Sequence, residues 1–297
     1  MNWRVGIQKL SVWPPARHAH SLLVRVSIFR KVLKKLTGTA VPQQTRLWVD
    51  IPAGLGKGLA LNLDPRFEMD YASGIYEINL QRALSAYLQP GSVVYDVGAH
   101  IGVVSLFASE LVGITGGVFA FEADPENAKR IEAHVRRNHV AQIQVFSCAA
   151  WSSSGKLSFE RASAHSSRNQ GSVSKAPGQT GQDIIVVESI RLDDFAQQHL
   201  PPTLIKIDVE GGEADVLLGC EQIFSRSHPV LICEVHHKQA EEDVCRWLSH
   251  RGYSLEWLGG SAEFPRHLLA VPMSEPLLRV TDARGSAEKP RASTNGS

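Results

Sequence analysis

The sequence predicts an α/β protein built on a doubly wound, mostly parallel sheet, and three observations point there. From residue 92 onward, short apolar runs alternate with amphipathic stretches, the pattern of strands covered by helices on both faces. The first run, Val93-Val94-Tyr95, ends in Asp96 and a glycine turn that opens a helical run at Val103. The second ends in Phe121-Glu122, an acid about 20 residues beyond that turn, the position from which a carboxylate reaches a ribose in nucleoside-binding folds. With 43% hydrophobic and 21% charged residues, the 297-residue chain has enough apolar material for a sizeable core, so disorder throughout is excluded.

Taken in order, the first 49 residues carry nine Lys/Arg and no Asp/Glu. Residues 1–45 are expected to be a basic extension, and within it Leu22, Val26, Phe29, Leu33 and Leu36 recur at helical spacing. Such a helix suits either packing on the body or peripheral contact with an anionic membrane surface through residues 21–36. Residues 47–63, with Gly54, Gly56 and Gly58, read as a small hairpin, followed by a helix over about 76–88. Strands are expected near 93–96, 117–122, 142–147, 204–208 and 230–235, with helices near 102–112, 125–138, 213–225 and 238–250. Ser, Gly and Gln break the alternation from 151 to 187, which predicts a short hairpin and a loop. One domain, 46–272, is expected, and the tail 273–297 reads as disordered.

Outside the basic extension the balance is acidic, 22 Lys/Arg against 30 Asp/Glu, which argues against a broad nucleic-acid face and for a small-molecule or glycan acceptor. Cys148, Cys220, Cys233 and Cys245 lack CxxC spacing and read as thiols of a reducing compartment. No run of 18 apolar residues occurs, and a cytoplasmic location is expected, with oligomeric state open.

The turn Asp96-Val97-Gly98-Ala99-His100-Ile101-Gly102 offers backbone close approach and the amide groups of the following helix to a ligand. Its glycines form GxxxG, and without the middle glycine of GxGxxG a pyrophosphate is poorly accommodated, which argues against a dinucleotide. Glu122 is the candidate ribose acceptor, and Asp124-Pro125 reads as N-cap and first-turn proline. Further on, Lys206, Asp208, Glu210 and Glu213, then Glu234, His236 and His237, cluster at the predicted ends of two strands. Open α/β sheets bind ligands at those ends, so Asp208, Glu210 and His236 are the candidate catalytic groups. A neutral His236 imidazole is the natural base near neutral pH. Lys206 and Glu213 suit structural roles equally well. Asp208, Glu210, Glu234 and His236 also have the donor types of a Mg²⁺ or Mn²⁺ site; spacing does not decide that, and no cation is expected. Arg161 and residues His165 to Asn169 belong to a loop suited to closing on an acceptor.

DVGAHIG, FEADP, IKIDVEGGE and CEVHH together, from about Gly74 to Leu258, resemble the motifs of the FkbM family of methyltransferases. The resemblance implies the class I methyltransferase fold, a seven-stranded sheet with the last strand antiparallel, and S-adenosyl-L-methionine as cofactor. By the same resemblance Asp96 and Gly98 lie at the methionine end, Glu122 at the ribose, Ala123 near the adenine and Ala149 beside it, with Tyr76 or Glu77 near the cofactor. Ala99, His100 and Gly102 complete the turn, His100 standing where most relatives have Asn. The reaction implied is methylation of a hydroxyl on a sugar or secondary metabolite. A nitrogen acceptor, or a binding module without catalysis, is the alternative.

Overall fold

The computed structural model describes residues 45–161, 172–173 and 184–273. The expected helix within 21–36, the loop residues His165 to Asn169 and the tail beyond 273 lie outside them.

A hairpin opens the described chain: β1 (Leu47–Asp50) pairs antiparallel with β2 (Ala60–Leu63). A 3-10 segment, Met69–Ser73, leads to α1 (Ile78–Tyr87), which buries Leu80, Ala83 and Leu84. Then come β3 (Val93–Val97), α2 (Val103–Val112), β4 (Gly117–Phe121), α3 (Pro125–Asn138) and β5 (Ile143–Phe146). The segment expected to hold a short hairpin pairs two consecutive strands antiparallel, and these belong to a larger second sheet. Its strands β6 (Ala149–Ala150), β7 (Gly155–Glu160), β8 (Ser172–Val173) and β9 (Ile184–Ile190) lie in the order β6-β9-β7-β8. The chain returns through α4 (Leu192–Phe195), β10 (Leu204–Ile207), α5 (Glu213–Leu218), α6 (Glu221–Arg226), β11 (Val230–Val235), α7 (Lys238–Ser249), β12 (Tyr253–Leu258) and β13 (Arg266–Pro272).

The main sheet has seven strands in the order β12-β13-β11-β10-β3-β4-β5. Neighbours from β11 to β5 run parallel, and β13 is antiparallel to both β11 and β12. This is the seven-stranded α/β architecture with an antiparallel last strand that the resemblance implies. The chain leaves β3 toward β4 on one side and comes back at β10 on the other, so the crevice beside the carboxyl end of β3 is the switch point where open sheets bind ligands. One apolar layer packs α1, α2, α3 and the hairpin on one face through Leu84, Leu106, Phe107 and Ile131. The other packs α4, α5, α6 and α7 through Phe195, Val216, Phe224 and Val244.

The helix expected over 213–225 is two helices. Asp193 of α4, almost wholly buried, accepts from the amides of Gln222 and Ile223 and so caps a separate α6, while its own amide donates to Gly219 O. This capping residue is distant in sequence, which is why helical periodicity alone ran the two together.

Two polar ties seat the hairpin on the body. Asn62 N–H donates to His134 Nε2 at 2.8 Å, so the Nδ1 proton goes to Ile101 O, also at 2.8 Å. Arg130 grips both oxygens of buried Glu68 at 2.9 and 2.7 Å. Among the described residues no helix is long and apolar enough to cross a membrane, and all four cysteines are free.

Candidate active site

The glycine turn after β3 is shaped by three left-handed residues, Gly98, His100 and Gly102. A Cβ on Gly98 would lie 1.8 Å from Asp208 O, so the ends of β3 and β10 approach more closely than any side chain allows. The amides of Gly98 and Ala99 both donate to Phe121 O at 3.0 Å, which pins the turn to β4. Gly102 faces away from the crevice: its Cβ would meet Ile131 of α3 at 2.8 Å.

Glu122 stands where β4 ends. Its Oε2 accepts from His100 N–H at 2.7 Å and its Oε1 from Asp124 N–H at 2.8 Å, leaving each oxygen a further lone pair for another donor. Burial outweighs those two amides and pushes its carboxyl up to about 7. Asp124 caps α3 through Glu126 N–H and is held by Arg161 at 2.9 and 3.0 Å. His100 is driven the other way, down to about 4, first by burial and then by the Arg130 charge, so its ring is neutral against the edge of Tyr71.

These groups border a cavity of about 720 Å³, within the range of small-ligand pockets. Gly98, Ala99, His100, Glu122, Ala123 and Ala149 line one part of it; Glu77, Asp208, Glu210, Glu234 and His236 line another. Asp96 and Gly102 are the two sequence-predicted cofactor residues that do not reach its wall. Asp96 is wholly buried, accepting from Ser105 Oγ, with Oδ1 3.4 Å from Lys206 Nζ. Lys206 in turn donates to Gly98 O at 2.9 Å and lies 3.3 Å from Asp208 Oδ2. The lysine thus ties β3, the glycine turn and β10 together.

His236, just beyond β11, sits in a nest of carboxylates. Its Nδ1 lies 2.8 Å from Oε1 of Glu213, whose side chain is fully buried. Its Nε2 lies 3.2 Å from Glu210, 3.6 Å from Asp208 and 4.0 Å from Glu234, yet has no partner with hydrogen-bond geometry. Burial works against the imidazolium, but Glu210, Glu213 and Asp208 outweigh it and raise His236 to about 10. The neutral imidazole expected from the sequence is therefore a cation at neutral pH, because Glu210, Glu213 and Asp208 come together around it only in the fold. Burial, then the charges of Asp208 and Glu77, push Glu234 up to about 9. Asp208 is held below the usual carboxylate range: burial opposes this, but Lys206 and then His236 prevail.

His237 is turned away from this nest: its Nδ1 accepts from Ala240 N–H and caps α7. Glu77, left-handed before α1, reaches the cavity and lies 3.6 Å from His267 of β13. Sequence reasoning missed Tyr71, Trp151 and Phe264, which also line the cavity. No local pattern marks them; Tyr71 comes from the 3-10 segment, and Trp151 and Phe264 from irregular chain whose path only the fold sets.

A family model described as the methyltransferase FkbM domain matches residues 96–255. The hexuronic acid methyltransferase AglP of Haloferax volcanii is 27% identical over 187 residues, 61% of this chain and 71% of that protein. The 31-O-demethyl-FK506 methyltransferase FkbM of Streptomyces tacrolimicus is 31% identical over 177 residues, 50% of this chain and 67% of that protein. Among solved structures, a methyltransferase FkbM from Methylobacillus flagellatus aligns with a TM-score of 0.44 at 20% identity, covering 68% of this chain and 54% of the other.

Proposed function

The chain belongs to the FkbM family of S-adenosylmethionine-dependent methyltransferases, and from that premise we propose that it methylates a hydroxyl oxygen of a sugar or secondary metabolite. The observation that carries the reading is one cavity joining Glu122 to the Asp208, Glu210 and His236 nest. On this reading Glu122 holds the nucleoside and the nest accepts the proton, both from the same open space.

The residues present fit the cofactor. Glu122 keeps a lone pair on each oxygen for a ribose diol, and Ala123, Cys148 and Ala149 offer an apolar slot for an adenine. Glu77 and Asp208 bring carboxylates to the other end, which suits a cationic ligand. When bound, the cofactor supplies a methyl group activated on a sulfonium. The protein has to orient the acceptor hydroxyl and take its proton. Because His236 already holds a proton, that acceptor role falls to Asp208 or Glu210, with the imidazolium steadying both. Lys206 holds Asp208 ionised and the glycine turn in place. The names of the two relatives, one a hexuronic acid methyltransferase and one a 31-O-demethyl-FK506 methyltransferase, support an oxygen acceptor of this general class.

The test is incubation of the full chain with isotopically labelled cofactor and a panel of sugars, sugar acids, polyketides and amines, followed by mass spectrometry and NMR. A methyl ether on a hydroxyl is expected. A methylated nitrogen, or cofactor binding with no product across the panel and a metabolite extract, overturns the reading.

A further inference from the structure

We propose that Asp208, Glu234 and His236 form a binding site for a hard divalent cation, Mg²⁺ or Mn²⁺, and that the cation chelates two neighbouring hydroxyls of the acceptor. The chelated acceptor rests on the hydroxyl-methylation reading above; the ion site does not.

Spacing is the first argument. One donor atom from each of the three residues lies within 4.8 Å of the other two. His236 Nε2 is 3.6 Å from Asp208 Oδ1 and 4.0 Å from Glu234 Oε2. Octahedral ligands bonded at about 2.1 Å stand about 3.0 Å apart when adjacent and about 4.2 Å apart when opposite, so both separations fit one ion with little rearrangement. Mixed carboxylate and imidazole donors suit Mg²⁺ and, with the nitrogen, Mn²⁺ in particular.

The second argument is the orientation of the imidazole. Metal-binding histidines usually give their other ring nitrogen to a carboxylate, which fixes tautomer and ring orientation. Glu213 does this here: it has no side-chain exposure, is braced by Gly211 N–H at 2.8 Å, and takes Nδ1 at 2.8 Å. Nε2 faces the carboxylates at 3.2 to 4.0 Å, shielded from solvent, and the proton it carries without an ion is the one that a cation would displace. An imidazole aimed by a buried carboxylate, with its second nitrogen turned into a ring of oxygen donors, is arranged for a ligand.

Charge and access complete the case. Asp208, Glu210, Glu213 and Glu234 surround one ring, while Lys206 is shared with Asp96 and the Gly98 carbonyl. All three proposed ligands line the cavity, so three protein donors leave octahedral positions open toward it. Two vicinal hydroxyls fill two of them as a chelate. The ion acidifies the reacting hydroxyl. Its proton passes to Glu210, whose Oε1 has no partner; the oxygen pair forms the bond to the methyl carbon, and the C–S pair leaves on sulfur as a neutral thioether. Glu210 is thereby assigned as proton acceptor and Asp208 as ligand.

The test uses the full chain, stripped with EDTA and titrated with Mn²⁺ alone under electron paramagnetic resonance, with calorimetry alongside. One equivalent is expected to bind, with a nitrogen hyperfine coupling from one imidazole. Asp208→Asn and Glu234→Gln should weaken uptake at least tenfold, and His236→Gln should abolish the nitrogen coupling. Glu213→Gln, a positioning change, should cost about 10-fold or more while the three ligands remain. Thermal melts and cofactor calorimetry verify that each variant is folded. No uptake of Mn²⁺ by folded protein at millimolar concentration, or uptake without nitrogen coupling, overturns the site. Methylation of a hydroxyl undiminished by EDTA overturns it while leaving the proposed function standing. Specific Mn²⁺ uptake without any methylated hydroxyl keeps the site and rejects the function.

Discussion

Replacing Lys206 by methionine keeps most of the side-chain volume and removes one charge from the centre of the molecule. Its side chain is 4% exposed and that of Asp96, its partner at 3.4 Å, is not exposed at all. After the change Asp96 retains Ser105 but loses its counter-ion, and Gly98 O loses its donor. Breaking a buried pair by removing one partner costs about 3–5 kcal/mol, because a charge is left unpaired in a poorly solvated place. For a domain of this size each kcal/mol corresponds to about 2–4 °C, so the thermal midpoint should drop by roughly 6–20 °C. Asp96→Asn added to Lys206→Met removes the stranded charge while keeping an acceptor for Ser105, and should regain about half the loss. Urea unfolding near pH 7 of the wild type, both single variants and the double variant forms a complete cycle. A loss under about 1 kcal/mol for Lys206→Met, or a double variant no more stable than the single, would refute the assignment of this pair as a buried strut.

Other consequences are open to simpler measurements. Glu122→Ala removes the proposed acceptor for two hydroxyl donors; with a carboxyl at about 7 that is charged in only part of the population, cofactor affinity should fall about 10-fold by calorimetry at pH 8, and unchanged affinity removes Glu122 from the site. Gly98→Ala combines a left-handed φ of 71° with a Cβ 1.8 Å from the Asp208 carbonyl oxygen, so denaturant unfolding should show a loss above about 3 kcal/mol, and a neutral result would contradict the close approach of β3 and β10. His134 is pushed down to about 4, burial being the largest cause, from an ordinary 6.5. The unfolded chain therefore binds the extra proton first: this contribution is complete above pH 6.5 and is lost as the pH falls toward 4, to a total of about 3 kcal/mol. Melts from pH 7.5 to 4.5 should show the decline, and a ring already protonated by NMR at pH 5.5 would sink the explanation.

Much of the fold was legible because it is written in short-range chemistry. Val93 to Tyr95 is an apolar run that a buried strand requires, and Asp124-Pro125 starts α3 by capping and a preset φ. Gly98 marks a turn no other residue can make at that approach. Glu122 was legible as an acid at the end of the second strand, where it does line the cavity. The division of α5 from α6 was not, since it depends on Asp193 reaching across from another helix. Nor was the second sheet, whose β7 and β9 find each other across a long polar insertion.

The residue types of the site were fixed by the sequence; their states were fixed by contacts between strands distant along the chain. Lys206 and Asp96 are register partners on β10 and β3, which turns a lysine of uncertain purpose into the strut beneath the glycine turn. Asp208 and His236 follow the neighbouring strands β10 and β11, and Glu213 comes in from α5, so the imidazole meets four carboxylates and keeps its proton at neutral pH. Sequence alone named the carboxylates and the histidine, since their chemistry is carried by each residue. Their protonation and their spacing depend on burial and on distances of 3 to 4 Å, and only the packed sheet sets those.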